Sequence, residues 1–338
     1  MKRFYHVITS LIALVLLLFL LGGCSSFVEE GVGIDGAGDL AGGEEQAEPL
    51  KTKPLKIVTT IFPLESILEE IGGDLVEVIS LLPAGTTPHT YEPTVKHVKA
   101  VADADLIVFV GGGLDNWALG LTSAAENGSV LEIMGSMQEM QEMVPGDRNQ
   151  NDPSLEGEET EVLAGHNLQD PHFWLDPVLV KDKVAPLLAE RLSRLKPEQE
   201  NYFAGNLKTF QAALEELDEE IRATVAGFSQ TGFISYHSAW NYFAGRYRLQ
   251  EIAAVEESPG KEPSGKWLAE LVKLSEDHKI NVIFAEPQLN SKAAEVMAKE
   301  INGRVFFLDP LGGKGLSGRE SYLELMRYNT KIFEEALR

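Results

Sequence analysis

Residues 197–228 read PEQENYFAGNLKTFQAALEELDEEIRATVAGF, and this stretch decides the fold. Pro197 suits the first turn of a helix, and apolar residues then recur every three or four positions. They are Phe203, Leu207, Phe210, Leu214, Leu217, Ile221 and Val225. This spacing predicts one helix with a continuous apolar stripe. At 1.5 Å per residue the helix would be about 45 Å long, enough to run along a whole molecule and join its two halves.

Short runs rich in β-branched residues alternate with helical stretches on both sides of this helix. They lie at 57–61, 76–82 and 106–111 before it, and at 232–236, 249–255, 281–285 and 304–308 after it. Such alternation is typical of parallel sheets flanked by helices. The sequence therefore predicts an α/β protein with two lobes, each a small parallel sheet with flanking helices. The predicted units are an N-terminal lobe at 55–196, a long rigid connecting helix at 197–228 and a C-terminal lobe at 229–338.

Two segments of the N-terminal half carry further predictions. Residues 94–104 predict a helix with Val95, Val98 and Val101 on one face. Residues 137–168 are polar and acidic, and they are predicted to be a mobile surface loop. Methionines recur every three positions at its start, which favours a short amphipathic helix over a thioether site for a soft metal. They are Met134, Met137, Met140 and Met143.

The N-terminus has the composition of an export signal. Residues 1–23 combine a charged start with an apolar run that is too short for a comfortable bilayer span, although an uncleaved anchor stays an alternative. Cys24 is the only cysteine, so no intrachain disulfide can form. The sequence LGGC at 21–24 resembles the lipobox of bacterial lipoproteins, which implies that Cys24 carries acyl chains; an ordinary secretory signal is the alternative. Residues 24–54 are rich in Gly and Glu and predict a flexible linker.

The formal net charge of the chain is −23. An acidic surface of this kind repels the phosphate backbone, so nucleic acid is excluded as a partner. It also attracts cations weakly, but solubility alone would explain it.

Three of the seven histidines lie at or just past the end of a strand-like or apolar segment, among turn residues. His89 lies in PAGTTPHTYEP, His172 lies in DPHFWLDP, and His237 follows the strand-like FISY. Ligands of open α/β sheets bind beyond the carboxyl ends of strands. If the two lobes face each other there, three imidazoles would form a site for a borderline metal ion. Asp309, in FFLDPLG, is the candidate carboxylate that completes it.

The ordered motifs of the chain resemble those of the cluster A-I solute-binding proteins, which serve zinc and manganese ABC importers and whose zinc-type members are called ZnuA-like. The motifs are PHTYEP at 88–93, GLDNW at 113–117, DPHFWLDP at 170–177, HSAWNYFAGRY at 237–247 and EPS at 262–264. The resemblance implies that the metal is held between the lobes. His89 and His172 would be ligands from the N-terminal lobe, and His237 and Asp309 from the C-terminal lobe.

The resemblance also bears on the choice of metal. Manganese-type relatives typically carry Glu at the third position, so His237 favours Zn²⁺, because imidazole is a softer ligand than carboxylate. Mn²⁺ stays possible. Zinc-type relatives often have a His-rich loop between the first two ligands, whereas residues 137–168 contain only His166. His97, within a predicted helix, and His278, in a polar stretch, are interpreted as non-ligands.

We therefore expect an extracytoplasmic, lipid-anchored monomer that binds a metal ion and delivers it to an ABC transporter permease in the membrane. A zinc hydrolase is the main rival, with Glu92 or Asp170 as its base. The sequence has neither an HExxH helix nor a GxSxG elbow, so we expect no enzyme activity. An adhesin on the same scaffold is a second rival.

Overall fold

The computed structural model describes residues 53–125, 128–143, 170–256, 258 and 260–338. The predicted signal peptide, Cys24, nearly all of the predicted linker and most of the predicted acidic loop lie outside these residues. Within the described ranges, no helix combines the length and the apolar character needed to cross a membrane.

Two four-stranded parallel sheets form the framework, one in each half of the chain. The first has the order β2-β1-β3-β4 and the second the order β6-β5-β7-β8. The strands are β1 Leu55–Thr59, β2 Val76–Ser80, β3 Leu106–Phe109, β4 Ser129–Glu132, β5 Gly232–Ser235, β6 Gln250–Ala254, β7 Val282–Ala285 and β8 Arg304–Phe307. Both sheets therefore have the same strand order, although no internal repeat is visible in the sequence.

Helices flank both sheets. Those of the N-terminal half are α1 Phe62–Gly72, α2 Val95–Ala102, α3 Asn116–Thr122, α4 Ile133–Met143, α5 Pro177–Leu179 and α6 Ala185–Leu195, the last two joined by a π-helical turn at Val180–Val184. The connecting helix is α7 Glu200–Val225. Those of the C-terminal half are α8 Asn241–Arg246, α9 Gly265–His278, α10 Lys292–Glu300 and α11 Tyr322–Leu337.

Helix α7 confirms the predicted rigid connection between the halves. It has 26 residues, so its length is about 39 Å, and a 3₁₀ turn at Pro197–Gln199 replaces its predicted first turn. It packs on α1 and α6 of the first half and on α11 of the second. The predicted apolar stripe is its buried face: Phe203, Phe210, Leu214, Leu217 and Ile221 are buried, and Leu207 and Val225 are partly buried against the same core.

Two details differ from the sequence predictions. Only Val101 of the three α2 valines is buried, whereas Val95 is 86% exposed and Val98 is 41% exposed. Each residue of an α-helix advances about 100° around the axis, so a spacing of three residues falls about 60° short of a full turn. Val95 and Val101 therefore lie about 120° apart around α2. Strand β4 was not predicted, because its residues Ser-Val-Leu-Glu form a four-residue edge strand without a β-branched run.

The segment at 170–177 precedes the connecting helix but is bonded to the second half of the chain. Trp174 Nε1 donates to the Pro310 carbonyl at 2.7 Å, and the Tyr322 hydroxyl donates to the Trp174 carbonyl at 2.7 Å. The buried Arg246 guanidinium donates to both oxygens of Asp176 at 2.8 to 3.0 Å. These bonds fix the segment to the C-terminal lobe.

Candidate metal centre

The second sheet places two functional groups at the point where its strand order reverses. His237 lies two residues beyond β5, and Glu286 directly follows β7, the neighbouring strand. Successive connections leave these two strands in opposite directions, so a crevice opens at their carboxyl ends, where α/β proteins commonly bind ligands. The Nδ1 atom of His237 lies 3.0 Å from a carboxylate oxygen of Glu286.

His89 lies in a 3₁₀ turn, Pro88–Thr90, in the loop after β2. Trp117 Nε1 donates to the Pro88 carbonyl at 3.0 Å and so positions this turn. Asp115, two residues before that tryptophan, is buried and accepts hydrogen bonds from the Val110 and Gly111 amides and from the Thr60 hydroxyl at 2.6 to 2.9 Å. Burial raises the pKa of the Asp115 carboxyl despite these bonds. The GLDNW motif therefore supports the His89 loop.

His172 precedes a 3₁₀ turn at Phe173–Leu175. Its backbone amide donates to Asp170 Oδ1 at 3.0 Å, and its Nδ1 lies 2.7 Å from the same oxygen. The ring of Trp174 packs against the imidazole at a centroid distance of 5.4 Å. The segment thus provides both a hydrogen-bonding partner for the ring and an apolar wall beside it.

The structure brings the three predicted histidines together. One ring nitrogen from each of His89, His172 and His237 lies within 4.8 Å of the other two. The Nε2 atoms of His89 and His172 are 3.3 Å apart. Neighbouring nitrogens of a tetrahedral zinc site with Zn–N bonds of 2.0–2.1 Å would lie about 3.3 Å apart as well. This spacing suits one ion between the three rings.

The protonation states also favour metal binding. Burial, together with the nearby imidazoles of His237 and His172, lowers the pKa of His89 to about 3. Burial lowers the pKa of His172 too, and the hydrogen bond to Asp170 does not offset it. Burial acts the same way on His237, but the charge and hydrogen bond of Glu286 outweigh it and raise the pKa. Two of the rings are therefore neutral at neutral pH, as metal ligation requires.

The structure does not bring Asp309 into this group of nitrogens. Its Oδ1 accepts from Gln288 Nε2 at 2.7 Å and from the Leu311 and Gly312 amides at 3.0 Å. Its Oδ2 accepts from Arg319 at 2.8 Å. Both oxygens are thus engaged, and Asp309 anchors the loop that follows β8. Its role as the fourth ligand stays a prediction.

His97 and His278 lie outside the group of three imidazoles, which contains no further histidine from the described ranges. His97 Nδ1 accepts from the Thr94 amide at 3.1 Å and completes a capping box at the start of α2. This structural bond agrees with its interpretation as a non-ligand.

Sequence reasoning missed the partners of the imidazoles. Glu286 was not singled out, although it directly follows the strand at 282–285, and such positions reach the ligand crevice. Asp170 was considered only as the base of a hydrolase. Its position two residues before a histidine within DPH could have indicated a hydrogen bond to the ring.

Two parallel-sheet lobes, one long connecting helix and a set of three imidazoles, two of them buried, together define a metal-binding member of the solute-binding protein class. The comparisons with known proteins agree. Residues 57–336 match the family described as "Zinc-uptake complex component A periplasmic", and the chain belongs to this family. It is a zinc-type cluster A-I solute-binding protein, a binding component of an ABC importer and not an enzyme.

Individual relatives are similar over most of this chain. The "High-affinity zinc uptake system protein ZnuA" of Bacillus subtilis (strain 168) is 29% identical over 292 residues, which cover 85% of this chain and 89% of that protein. The "Zinc-binding lipoprotein AdcA" of Streptococcus pneumoniae R6 is 30% identical over 284 residues. That match covers 83% of this chain but only 55% of AdcA, so this chain spans about half of that relative. A crystal structure of ZnuA has a TM-score of 0.69 and 30% identity, covering 85% of this chain and all of that one.

Proposed function

We propose that the protein captures one Zn²⁺ ion between its two lobes, with His89, His172 and His237 as ligands. The observation that carries the proposal is the convergence of the three imidazoles, one ring nitrogen of each lying within 4.8 Å of the other two, together with the state of His237 Nε2. That nitrogen is buried and has no hydrogen-bond partner among the described residues. A buried polar atom without a partner costs free energy, and an ion ligated there would remove the cost.

Zinc is the preferred ion because three imidazole nitrogens form a borderline donor set. Zn²⁺ is commonly held by histidine with Zn–N bonds near 2.0–2.1 Å, whereas Mn²⁺ favours carboxylate and water oxygens. Asp309 is the predicted fourth ligand. In that role one of its oxygens would exchange a present hydrogen bond for the ion, and a water molecule at the same position is the alternative.

Zinc titration of the purified full-length chain, stripped of metal and held in detergent, tests this proposal. We expect one tightly bound ion per chain by calorimetry. His89→Ala should weaken binding strongly, because it removes one of three nitrogens, whereas His97→Ala should change it little. No zinc binding by the wild-type chain, or equal losses in both variants, would refute the ligand assignment.

We also propose that the protein delivers the ion to the permease of its importer while a lipid on Cys24 holds it at the outer side of the membrane. In this arrangement residues 1–23 are removed, and residues 24–54 link the anchor to lobes at 55–196 and 229–338. The protein acts as a monomer. Deleting its gene should abolish high-affinity ⁶⁵Zn uptake, and the wild-type gene but not a His237→Ala gene should restore it. Restoration by the His237→Ala gene would refute delivery through this site.

A further inference from the structure

Two carboxylates pair with imidazoles of the metal centre, and one of them, Glu286, lines the same cavity as the three histidines. Glu286 is 4% exposed and lies 3.0 Å from Nδ1 of His237. A carboxylate only accepts hydrogen bonds, so Nδ1 must carry the hydrogen. In the neutral ring, the lone pair then lies on Nε2, which is buried and has no hydrogen-bond partner among the described residues.

Asp170 plays the same part behind His172, and it also connects the two lobes. Its Oδ1 lies 2.7 Å from His172 Nδ1, which directs the lone pair of that ring to Nε2. Its Oδ2 accepts from Asn241 at 3.1 Å, and its backbone carbonyl accepts from the Tyr242 hydroxyl at 3.2 Å. Both of these donors lie at the start of α8, four and five residues after His237. His172 is therefore positioned by the same stretch of chain that carries His237.

His89 is held differently. Within the described part of the chain, no carboxylate accepts a hydrogen bond from either nitrogen of its ring, and its Nε2 lies 3.3 Å from Nε2 of His172. Its turn is fixed through the bond between Trp117 and the Pro88 carbonyl. The ring thus pairs with another imidazole and not with a carboxylate.

We propose that Glu286 and Asp170 are positioning residues for the transported ion, which fix the Nδ1–H tautomers of His237 and His172 and hold both Nε2 atoms toward one point. This inference rests on the proposed function, because the ion is the Zn²⁺ assigned above. It adds two residues that act through the ligands, and it distinguishes them from His89, which has no such partner.

A graded series at Glu286 tests the assignment in the full-length chain. Glu286→Gln keeps an acceptor for Nδ1 but removes the charge, whereas Glu286→Leu removes both. Partners of this kind typically contribute 10–100-fold in metal affinity. We expect zinc affinity, measured by competition with a chromophoric chelator, to fall roughly 10-fold in the first variant and about 100-fold in the second. Asp170→Asn should lower zinc affinity by about the same factor as Glu286→Gln, roughly 10-fold.

The matched control is Glu65→Gln. Glu65 is as buried as Glu286, at 5% exposure, but it pairs with Lys314 and contacts no imidazole. The zinc affinity of the Glu65→Gln variant should equal that of the wild type. The ligand-field spectrum of bound Co²⁺ provides a second measurement, because it reports the ligand set. It should keep its wild-type form in Glu286→Gln and change in His237→Ala.

Each outcome is decisive. Equal zinc affinity in the wild type, Glu286→Gln and Glu286→Leu would overturn the inference and leave the proposed function intact. A Co²⁺ spectrum in Glu286→Gln that matches the loss of a ligand would overturn it too, because Glu286 would then bind the ion directly. A wild-type chain that binds no zinc would overturn the proposed function itself. If Glu286→Leu does not fold, the isosteric Glu286→Gln variant and Asp170→Asn still decide the question.

Discussion

Replacing Arg246 by methionine removes the guanidinium that ties the His172 segment to the C-terminal lobe. The guanidinium is buried, with 8% side-chain exposure, and its partner Asp176 is fully buried. Three donor–acceptor distances of 2.8 to 3.0 Å join them. The variant therefore leaves a carboxylate in the interior without its counter-charge, and methionine fills part of the vacated volume.

Removing one member of a buried ion pair typically costs 3–5 kcal/mol in the free energy of unfolding. Asp176 keeps other partners, among them the Val178 and Leu179 amides, whose hydrogen bonds it accepts as the cap of α5. We therefore expect a loss near the lower end, about 3 kcal/mol. A control is available in Arg327, which also donates two bonds to one carboxylate, Glu220, but with 43% of each side chain exposed. Arg327→Met should cost only about 0–1 kcal/mol.

Urea unfolding of the metal-free protein, followed by tryptophan fluorescence, measures the loss of unfolding free energy in Arg246→Met and in Arg327→Met. Combining Arg246→Met with Asp176→Asn should recover part of the loss, because the second change removes the uncompensated charge. If Arg246→Met and Arg327→Met destabilised the protein equally, burial would not be the source of the difference, and the magnitude argued above would be wrong.

Further predictions concern the metal centre and the N-terminus. His237→Glu should lower the zinc-to-manganese affinity ratio, because it replaces imidazole with a harder ligand, and an unchanged ratio in metal competition would mean that His237 is no ligand. Zinc affinity should fall as the pH decreases through the pKa of His237, because the protonated ring cannot bind the ion. Glu286 raises this pKa above 6.5 against the effect of burial. The pKa of His89 is about 3, so that ring stays neutral over the same range. Glu286→Gln should shift this decline in zinc affinity to lower pH. Chelator competition across pH 5–8 measures the shift, and coinciding affinity curves for the wild type and the variant would contradict it. Cys24→Ser should release the protein from the membrane fraction, and unchanged fractionation would favour an uncleaved anchor.

The fold could be predicted largely because its patterns are regular. The apolar stripe from Phe203 to Val225 and the β-branched strands depend on local periodicity, which the sequence displays directly. The exceptions have physical reasons. Strand β4 is short and lies at a sheet edge, where a weak pattern suffices, and the three-residue spacing of the α2 valines drifts around the helix.

The site was predictable as a set of residue types but not as a hydrogen-bonded assembly. Strand-end position and motif context identified His89, His172 and His237, which the structure brings together. Sequence position gave no indication that Asp170 would bond to Asn241, because that contact joins residues 71 positions apart. The engaged state of Asp309 likewise depends on Arg319 and Gln288, whose approach is set by tertiary structure.

The attachment of the 170–177 segment to the C-terminal lobe changes how ion capture divides into steps. His172 and His237 belong to one bonded framework even though the connecting helix separates them in the chain. If they bind the ion as proposed above, they would act as a preformed bidentate chelate: once either nitrogen holds the ion, the other would meet it at a high effective concentration instead of by diffusion. Little chain entropy would then remain to be lost in forming the second bond, and the third bond would depend on the loop that carries His89.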